Sequence, residues 1–308
     1  MTTLDAESSA SIERELGKAV AQATAAPCSP VLANAIAYAV FPGGGRLRPR
    51  LCVEVARACG NNDPKLAVCA GAAIELLHCA SLAQDDLPCF DNADERRGLP
   101  SLHRRFGEAT AVLVGDALII MAFDLVARHV TSQPREAGAI LLALARAAGT
   151  PVGLVTGQAW ESEPTADVDD YHQAKTGALF EAATVAGAIA GGGEPEAWRS
   201  LGSLIGHAYQ VADDLADATG NVKVLGKPVG NDLSLGRPNA VTKLGLPGAV
   251  AHLDNLITRA LDALPQDAQR DRLVALLNHL CNRLRPPETP PAGPPLVDQR
   301  TVEGPHVQ

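Results

Sequence analysis

Apolar residues recur along most of the chain every three to four positions, the spacing of an α-helix that packs one face on a core. Many of these segments are rich in Ala, the strongest helix former, and contain few β-branched runs. The predicted helices cover residues 11–25, 29–39, 50–58, 65–83, 109–129, 135–148, 168–190, 197–218 and a region from residue 249 onward. We therefore expect an all-α protein.

Three of the breaks between these helices are unusually rich in charge or glycine, namely residues 41–49, 85–100 and 221–238. Loops held by a rigid scaffold often carry function, so candidate chemistry is expected there. The last residues are proline-rich and poor in apolar side chains, which excludes a helix interior and a packed core. We expect a helical domain over residues 1–285 and a disordered tail over residues 286–308.

Composition narrows the class of protein. A chain of 308 residues with 46% hydrophobic residues can bury a large core, in one large domain or two tight ones. The formal charge of −9 argues against nucleic acid or an anionic membrane surface as a partner. Seven cysteines without a CxxC pattern fit reduced thiols, and no signal peptide is readable, so we expect a cytoplasmic protein. The apolar run at 111–123 is interrupted by Gly115 and Asp116, so no transmembrane helix is predicted.

The first cluster of acidic residues follows a predicted apolar helix. Asp85, Asp86 and Asp91 lie together, and Arg96 and Arg97 follow them. A solvated helix end would by itself account for such a cluster in most proteins. The cluster becomes informative only in combination with a second one.

That second cluster, Asp213, Asp214 and Asp217, lies inside another predicted apolar helix. Asp213 and Asp217 share one helical face, where like charges repel by a few tenths of a kcal/mol. A cation would offset this repulsion. Carboxylate oxygens without Cys or His ligands suit a hard cation, and Mg²⁺ commonly joins one or two carboxylates to substrate phosphates.

Basic residues beside glycine-rich segments supply the other half of a phosphate site. Each one alone would more often be a surface charge. Together, Arg forks and Lys point charges near glycine-rich backbone favour a diphosphate substrate. These residues are Arg46, Arg48, Arg96, Arg97, Lys175, Lys227 and Arg237.

The motifs DDLPCFD, RRG and DDLAD resemble those of the trans-isoprenyl diphosphate synthases, the polyprenyl synthetase family, in the family's order over residues 40–241. The resemblance implies a single large helical bundle of the isoprenoid synthase type with a central substrate cavity. It also implies a magnesium-dependent prenyltransferase that joins isopentenyl diphosphate to dimethylallyl, geranyl or farnesyl diphosphate. A homodimer with a largely apolar helical interface is expected from the same resemblance.

The resemblance also implies roles for individual residues. Three magnesium ions would be held by Asp85, Asp86, Asp91, Asp213, Asp214 and Asp217. The allylic diphosphate would be held by Arg96, Lys175, Thr176, Gln210, Lys227 and Arg237, and isopentenyl diphosphate by Arg48, His78 and Arg97. The residues expected to act directly in catalysis are Asp85, Asp86, Asp91, Arg96, Lys175, Asp213 and Lys227. His78 lies two helical turns before Asp85 on nearly the same face, although a lone histidine there would more often be a satisfied core residue.

Four positions depart from the family pattern. Gly45 stands where the family usually has a Lys that contacts isopentenyl diphosphate, Gln84 where His is common, Asn92 where a further Asp is common, and Arg237 where Lys is usual. The segments HCASL, LPCFDNAD and GRPNAV are most similar to bacterial geranylgeranyl diphosphate synthases of carotenoid and bacteriochlorophyll pathways, some of which also lack that Lys. No departure removes an aspartate of either motif.

The length of the product is predicted from the helix that precedes the first cluster. Ala80 lies about 7 to 8 Å along the helix axis before Asp85, and Ser81 is its neighbour. Farnesyl-producing relatives tend to carry an aromatic residue there, so a small Ala80 leaves room for a longer product, most readily geranylgeranyl diphosphate. Ordinary packing in an Ala-rich helix is the other explanation.

Four alternatives stay open on the sequence alone. The first alternative is a product of another length, such as farnesyl diphosphate. The second is that the chain is a non-catalytic regulatory subunit of such an enzyme, as Gly45 and Gln84 would allow. A terpene cyclase would ionise a diphosphate without an acceptor, but usually replaces the second aspartate cluster. A simple binding protein for magnesium or isoprenoids would not need two opposed diphosphate sites.

Overall fold

The computed structural model describes residues 3–41, 43–60, 65–161, 163, 167–219, 239–265 and 271–284. Its helices are α1 Thr3–Ala23, α2 Pro30–Val40, α3 Leu47–Ala58, α4 Lys65–Asp85, α5 Leu102–Phe106, α6 Glu108–Ala127, α7 Pro134–Ala148, α8 Leu154–Trp160, α9 Val168–His172, α10 Ala178–Gly191, α11 Glu196–Ala218, α12 Ala240–Asp262 and α13 Asp271–Leu284. A hairpin of two short strands, β1 Glu95–Arg96 and β2 Leu99–Pro100, interrupts them. The predicted all-α class is confirmed.

The predicted helix over residues 168–190 contains a change of geometry. α9 passes into a π-helical turn, Gln173–Gly177, before α10 begins. The sequence analysis also missed α5, α8 and the hairpin, and it began the last helical region too late. α12 starts at Ala240 and bends at Gly245, whose φ of 70° is accessible to glycine because it has no Cβ.

Helix α10 lies at the centre of the bundle and packs on α3, α4, α7 and α11. It meets α3 closely because two glycines face it: a Cβ on Gly187 would lie 2.4 Å from the carbonyl oxygen of Cys52, and one on Gly191 would lie 2.5 Å from that of Ala56. One continuous apolar core runs from Ile12 in α1 to residues of α13. The tail predicted from residue 286 lies outside the described residues, so the domain bounds stay a prediction.

Two described helices, α4 and α6, are long and apolar enough to cross a membrane by length and composition. Gly115 and Asp116 do not interrupt α6, which runs over 20 residues and so extends beyond the apolar run at 111–123. In α4, 83% of the apolar window is buried within the bundle, and in α6 44% is buried. Core helices of proteins without a membrane span pass the same test, so neither helix establishes one.

Arg46 fixes the start of α3. It precedes the helix in the left-handed conformation, with φ 43° and ψ 37°. Its buried guanidinium donates to Oε1 of Glu75 on α4 at 2.8 Å, to Oε1 of Glu13 on α1 at 2.7 Å and to the carbonyl oxygen of Val40 at 2.7 Å. Arg46 thereby ties α1, α2 and α4 to the start of α3, the helix that carries Arg48.

We expect Glu75→Ala to lower the free energy of unfolding by about 3 kcal/mol, because the change leaves a buried guanidinium without its buried partner. The Glu75 side chain is 2% exposed, whereas that of Glu13 is 45% exposed. Glu13→Ala is therefore the matched control and should cost about 1 kcal/mol or less. Urea unfolding followed by circular dichroism measures both, and equal losses would contradict the assignment of Arg46–Glu75 as the main contact.

Candidate active site

The first aspartate cluster lies where α4 ends and the chain folds back. The backbone N–H of Asp91 donates to the carbonyl oxygen of Asp85 at 2.9 Å, which returns Asp91 to the helix end. Burial raises the pKa of Asp85 above its ordinary value; the Lys175 ammonium opposes this, and Glu161 and Asp91 raise it further. Several carboxylates therefore share one small region.

Asp86 is held by a neighbouring arginine. Nε of Arg96 donates to Oδ1 of Asp86 at 3.0 Å and Nη2 donates to the same oxygen at 2.5 Å. Burial raises the pKa of Asp86, and this bond with Arg96 opposes the rise. The pair connects the end of α4 to β1.

The RRG motif forms the turn of the hairpin. Arg97 and Gly98 have φ values of 55° and 74°, and a tight two-residue hairpin turn of type I′ requires positive φ at both positions. This turn carries the Arg97 guanidinium over the glycine-rich loop, where a Cβ on Gly44 would lie only 2.8 Å from its Nη2. Gly44 thus leaves the space that Arg97 occupies.

The three residues predicted for the acceptor, Arg48, His78 and Arg97, lie in one region. Burial lowers the pKa of His78 well below its ordinary value, and Arg48 and then Arg97 lower it further, so the imidazole is neutral. The Arg48 guanidinium stacks on Phe180 of α10, 4.4 Å from the ring centroid. Its Nε is buried without a hydrogen-bond partner in the described part of the chain. A buried guanidinium with an unused N–H donor is suited to binding an anion.

Lys175 lies in the π-helical turn between α9 and α10, a geometry that is frequent at functional sites. A Cβ on Gly157 of α8 would lie 2.4 Å from the backbone nitrogen of Lys175, and one on Gly206 of α11 would lie 2.5 Å from Cα of Gly177. The turn is therefore packed between two glycine surfaces. Nζ of Lys175 contacts Oε1 of Glu161 and lies 3.9 Å from Oδ1 of Asp85.

The second aspartate cluster lies near the end of α11. Burial lowers the pKa of Arg48, and the Asp213 carboxylate is among the charges that oppose this shift. Asp214 is buried, and its Oδ1 accepts from Nε2 of Gln210 at 3.1 Å while its Oδ2 accepts from the backbone N–H of Ala240 at 2.8 Å. Asp217 is buried one turn further along α11.

A hydrogen bond joins the π-helical turn to the second cluster. The hydroxyl of Thr176 donates to Oε1 of Gln210 at 2.7 Å, and Gln210 in turn donates to Asp214. The π-helical turn thus connects α4 with α11, since Lys175 lies 3.9 Å from Asp85 and Thr176 reaches Asp214 through Gln210. These contacts join five of the predicted site residues, while Lys227 and Arg237 lie outside the described residues.

Sequence reasoning missed Glu161, Gln158 and Tyr171. Oε1 of Glu161 accepts from the hydroxyl of Tyr171 at 2.8 Å, and its Oε2 accepts from Nε2 of Gln158 at 2.8 Å. The available signal was weak: Tyr171 stands four residues before Lys175, on the same helical face, and Gln158 stands three before Glu161. Only the approach of α8 to the π-helical turn makes them neighbours of Lys175.

The two predicted chain-length residues differ in their surroundings. Ala80 is 1% exposed and packed within the core. Ser81 is half-buried, and its hydroxyl donates to the carbonyl oxygen of His78 at 2.9 Å. His78, Ser81 and Asp85 follow one another at helical spacing, so Ser81 shares the face of α4 that leads to the aspartates.

An all-α bundle with carboxylates on two helices, a lysine and a separate arginine group is the architecture of an isoprenoid synthase. The comparisons agree: residues 29–278 match the family model described as Polyprenyl synthetase. The chain belongs to this family and is a prenyltransferase. Family membership excludes the simple binding protein and speaks against a terpene cyclase.

Two curated relatives cover nearly the whole chain, and both are named geranylgeranyl diphosphate synthase. The Cereibacter sphaeroides protein is 46% identical over 275 residues, which is 89% of this chain and 96% of the relative. The Rhodobacter capsulatus protein is 47% identical over 271 residues, or 87% and 94% of the two chains. Both are bacterial, and both carry the name that the sequence analysis expected of similar proteins.

A solved structure agrees in fold. The geranyltransferase from Helicobacter pylori, complexed with magnesium and isoprenyl diphosphate, superposes with a TM-score of 0.72 at 28% identity. The match covers 89% of this chain and 94% of that protein. The predicted isoprenoid-synthase-type bundle is therefore confirmed.

Proposed function

We propose that this chain catalyses the magnesium-dependent head-to-tail condensation of isopentenyl diphosphate with an allylic diphosphate, and that its product is geranylgeranyl diphosphate. The proposal is supported by two charge contacts: Nζ of Lys175 lies 3.9 Å from Oδ1 of Asp85, and Asp213 acts electrostatically on the buried Arg48. Two diphosphates require two such groups of charges. The names of the two bacterial relatives support the product.

The carboxylates present fit magnesium. Oδ1 of Asp85 is buried without a hydrogen-bond partner in the described part of the chain, as an oxygen kept for a cation would be. Among the residues described, no three Asp, Glu, His or Cys side chains lie close enough to hold a metal by themselves. Mg²⁺ does not need three, since it commonly takes one or two carboxylates and completes its octahedron with water and substrate phosphates.

Hydrogen bonds engage two of the six aspartates in ways that suit a positioning role. Asp86 accepts from Arg96, and Asp214 accepts from Gln210 and from the backbone N–H of Ala240, so we assign both to positioning. Direct metal contact is assigned to Asp85, whose Oδ1 is buried without a hydrogen-bond partner among the residues described, and, from the family resemblance, to Asp91, Asp213 and Asp217. Three ions per site with substrate bound remain our proposal, which the magnesium bound to the Helicobacter pylori protein supports in kind but not in number.

Charge placement explains the chemistry. The allylic diphosphate leaves with negative charge, which Lys175 and Arg96 stabilise by donating hydrogen bonds, joined in our proposal by Lys227 and Arg237. Bound magnesium supplies Lewis-acid stabilisation of that same charge. Arg48 and Arg97 orient isopentenyl diphosphate so that its double bond attacks the allylic carbon. The C–O bond breaks, the C–C bond forms, and the proton passes to the released diphosphate.

The proposal is tested by incubating the purified protein with Mg²⁺, labelled isopentenyl diphosphate and, separately, dimethylallyl, geranyl or farnesyl diphosphate. A twenty-carbon alcohol after dephosphorylation is the expected product. A fifteen-carbon or much longer product would keep the condensation and remove the assigned length. No condensation with any allylic partner would overturn the proposal and favour the regulatory-subunit alternative.

In the same assay we expect Ala80→Phe and Ser81→Phe to shorten the product towards fifteen carbons, because an aromatic ring on this stretch of α4 blocks the path of the growing chain. Ser81 is the more direct probe, since it is half-buried on the face that leads to Asp85. Ala70→Phe, further up the same helix and fully buried, reports the cost of core disruption alone. An unchanged product in both test variants would remove α4 from the length assignment.

The residues proposed to bind isopentenyl diphosphate can be tested at Gly44, the neighbour of Gly45. We expect Gly44→Ala to raise KM for isopentenyl diphosphate about fivefold, an effect of about 1 kcal/mol, because the new Cβ must displace the Arg97 guanidinium. KM for the allylic substrate should change little. Gly138→Ala, where a Cβ meets no atom within 4 Å, is the matched control. An unchanged KM for isopentenyl diphosphate would contradict the role of Arg97.

A homodimer is proposed from the outer face of α6. Val112, Leu113 and Ile120 lie there, and Ile120 is 69% exposed, which is unusual for so large an apolar side chain. We expect sedimentation equilibrium to give twice the 31.9 kDa chain mass, and Ile120→Glu to shift the protein towards monomer. A monomeric wild-type protein would contradict this part of the proposal.

The setting of the enzyme also remains a proposal. A cytoplasmic location is supported by the six described cysteines, which are all free thiols. A role in carotenoid biosynthesis rests on the resemblance to enzymes of phototrophic bacteria.

A further inference from the structure

Among the residues described, the carboxylates of Glu161 and Asp85 both lie within reach of Lys175. Its ammonium contacts Oε1 of Glu161 and lies 3.9 Å from Oδ1 of Asp85. The side chain of Glu161 is 6% exposed, so its charge is largely withdrawn from water. A lysine between two buried carboxylates pairs with the one that is better placed, and here that is Glu161.

Glu161 is itself fixed by two further hydrogen bonds. The Tyr171 hydroxyl donates to Oε1 at 2.8 Å and Nε2 of Gln158 donates to Oε2 at 2.8 Å. The Tyr171 ring also faces the ammonium, with Nζ 6.0 Å from its centroid. Glu161 therefore presents a preorganised acceptor to Lys175 from α8 and α9, elements that carry no aspartate of either motif.

If Lys175 paired with Asp85 instead of Glu161, the site would lose a metal ligand. Oδ1 of Asp85 is buried and has no hydrogen-bond partner among the residues described, so a lysine moved by about 1 Å would pair with it. A buried ion pair of that kind must be broken before the oxygen can bind a cation. Whatever holds Lys175 on Glu161 keeps that oxygen available.

We propose that Glu161 is a positioning residue that holds Lys175 away from Asp85, so that Oδ1 of Asp85 stays available to magnesium until the allylic diphosphate arrives and accepts from Lys175. The inference rests on the proposed function, because it assigns Asp85 to the metal and Lys175 to the diphosphate. Glu161 acts through Lys175 and need not touch either substrate.

The test measures magnesium-dependent binding of inorganic pyrophosphate by calorimetry, with no turnover. In Glu161→Gln, Lys175 should pair with Asp85, and the Mg²⁺ concentration for half-maximal binding should rise about tenfold, an effect of about 1.4 kcal/mol. Tyr171→Phe should shift it in the same direction by a smaller factor. Glu163→Gln removes one negative charge from an exposed side chain nearby and should leave it unchanged.

A double-mutant cycle separates this role from direct metal binding. In a Lys175→Met background the ammonium that would pair with Asp85 is removed, so adding Glu161→Gln should leave the required Mg²⁺ concentration unchanged. An equal rise in both backgrounds would overturn the proposal and make Glu161 a metal ligand or a distant charge. No rise in Glu161→Gln alone would overturn it as well. Absence of magnesium-dependent binding in the wild type would instead reject the proposed function.

Discussion

Repulsion among carboxylates on apolar helices is the interaction on which the rest of the structure depends. Burial raises the pKa of Asp85, and Glu161 and Asp91 raise it further, while Lys175 and Arg96 oppose them. A buried carboxylate in such a site takes up a proton unless basic side chains or a metal ion lie close enough to stabilise its negative charge. The surrounding fold can be understood as the means of placing them.

Glycine allows that placement at several points, because close approach of backbones leaves no room for a Cβ. Gly157 and Gly206 enclose the π-helical turn that carries Lys175, and Gly44 leaves space for the Arg97 guanidinium. Arg46 is bonded to Glu75 and sets the start of α3. Arg48, which lies in α3, stacks on the ring of Phe180. The cations are thus positioned by contacts far apart in sequence.

The sequence predicted those parts of the molecule that depend on local pattern. Helical periodicity located most helices, and the two aspartate clusters pointed to α4 and α11 as the helices that carry the candidate site. It could not locate α8 or Glu161, since their importance arises from packing against Lys175 across the bundle. The hairpin turn was also missed. It requires a positive φ at Arg97, which the sequence does not indicate apart from the neighbouring Gly98. Nor could spacing show that Asp214 is held by Ala240.

In the metal site that we propose, Asp85 and Asp91 on one side and Asp213 on the other hold metal ions that bind a diphosphate between them. An anomalous difference map from crystals grown with Mn²⁺ and inorganic pyrophosphate would test this site. We expect metal peaks on both aspartate-bearing helices, with pyrophosphate between them and Lys175 turned towards it. Metal confined to one helix, or pyrophosphate bound away from Lys175, would contradict it.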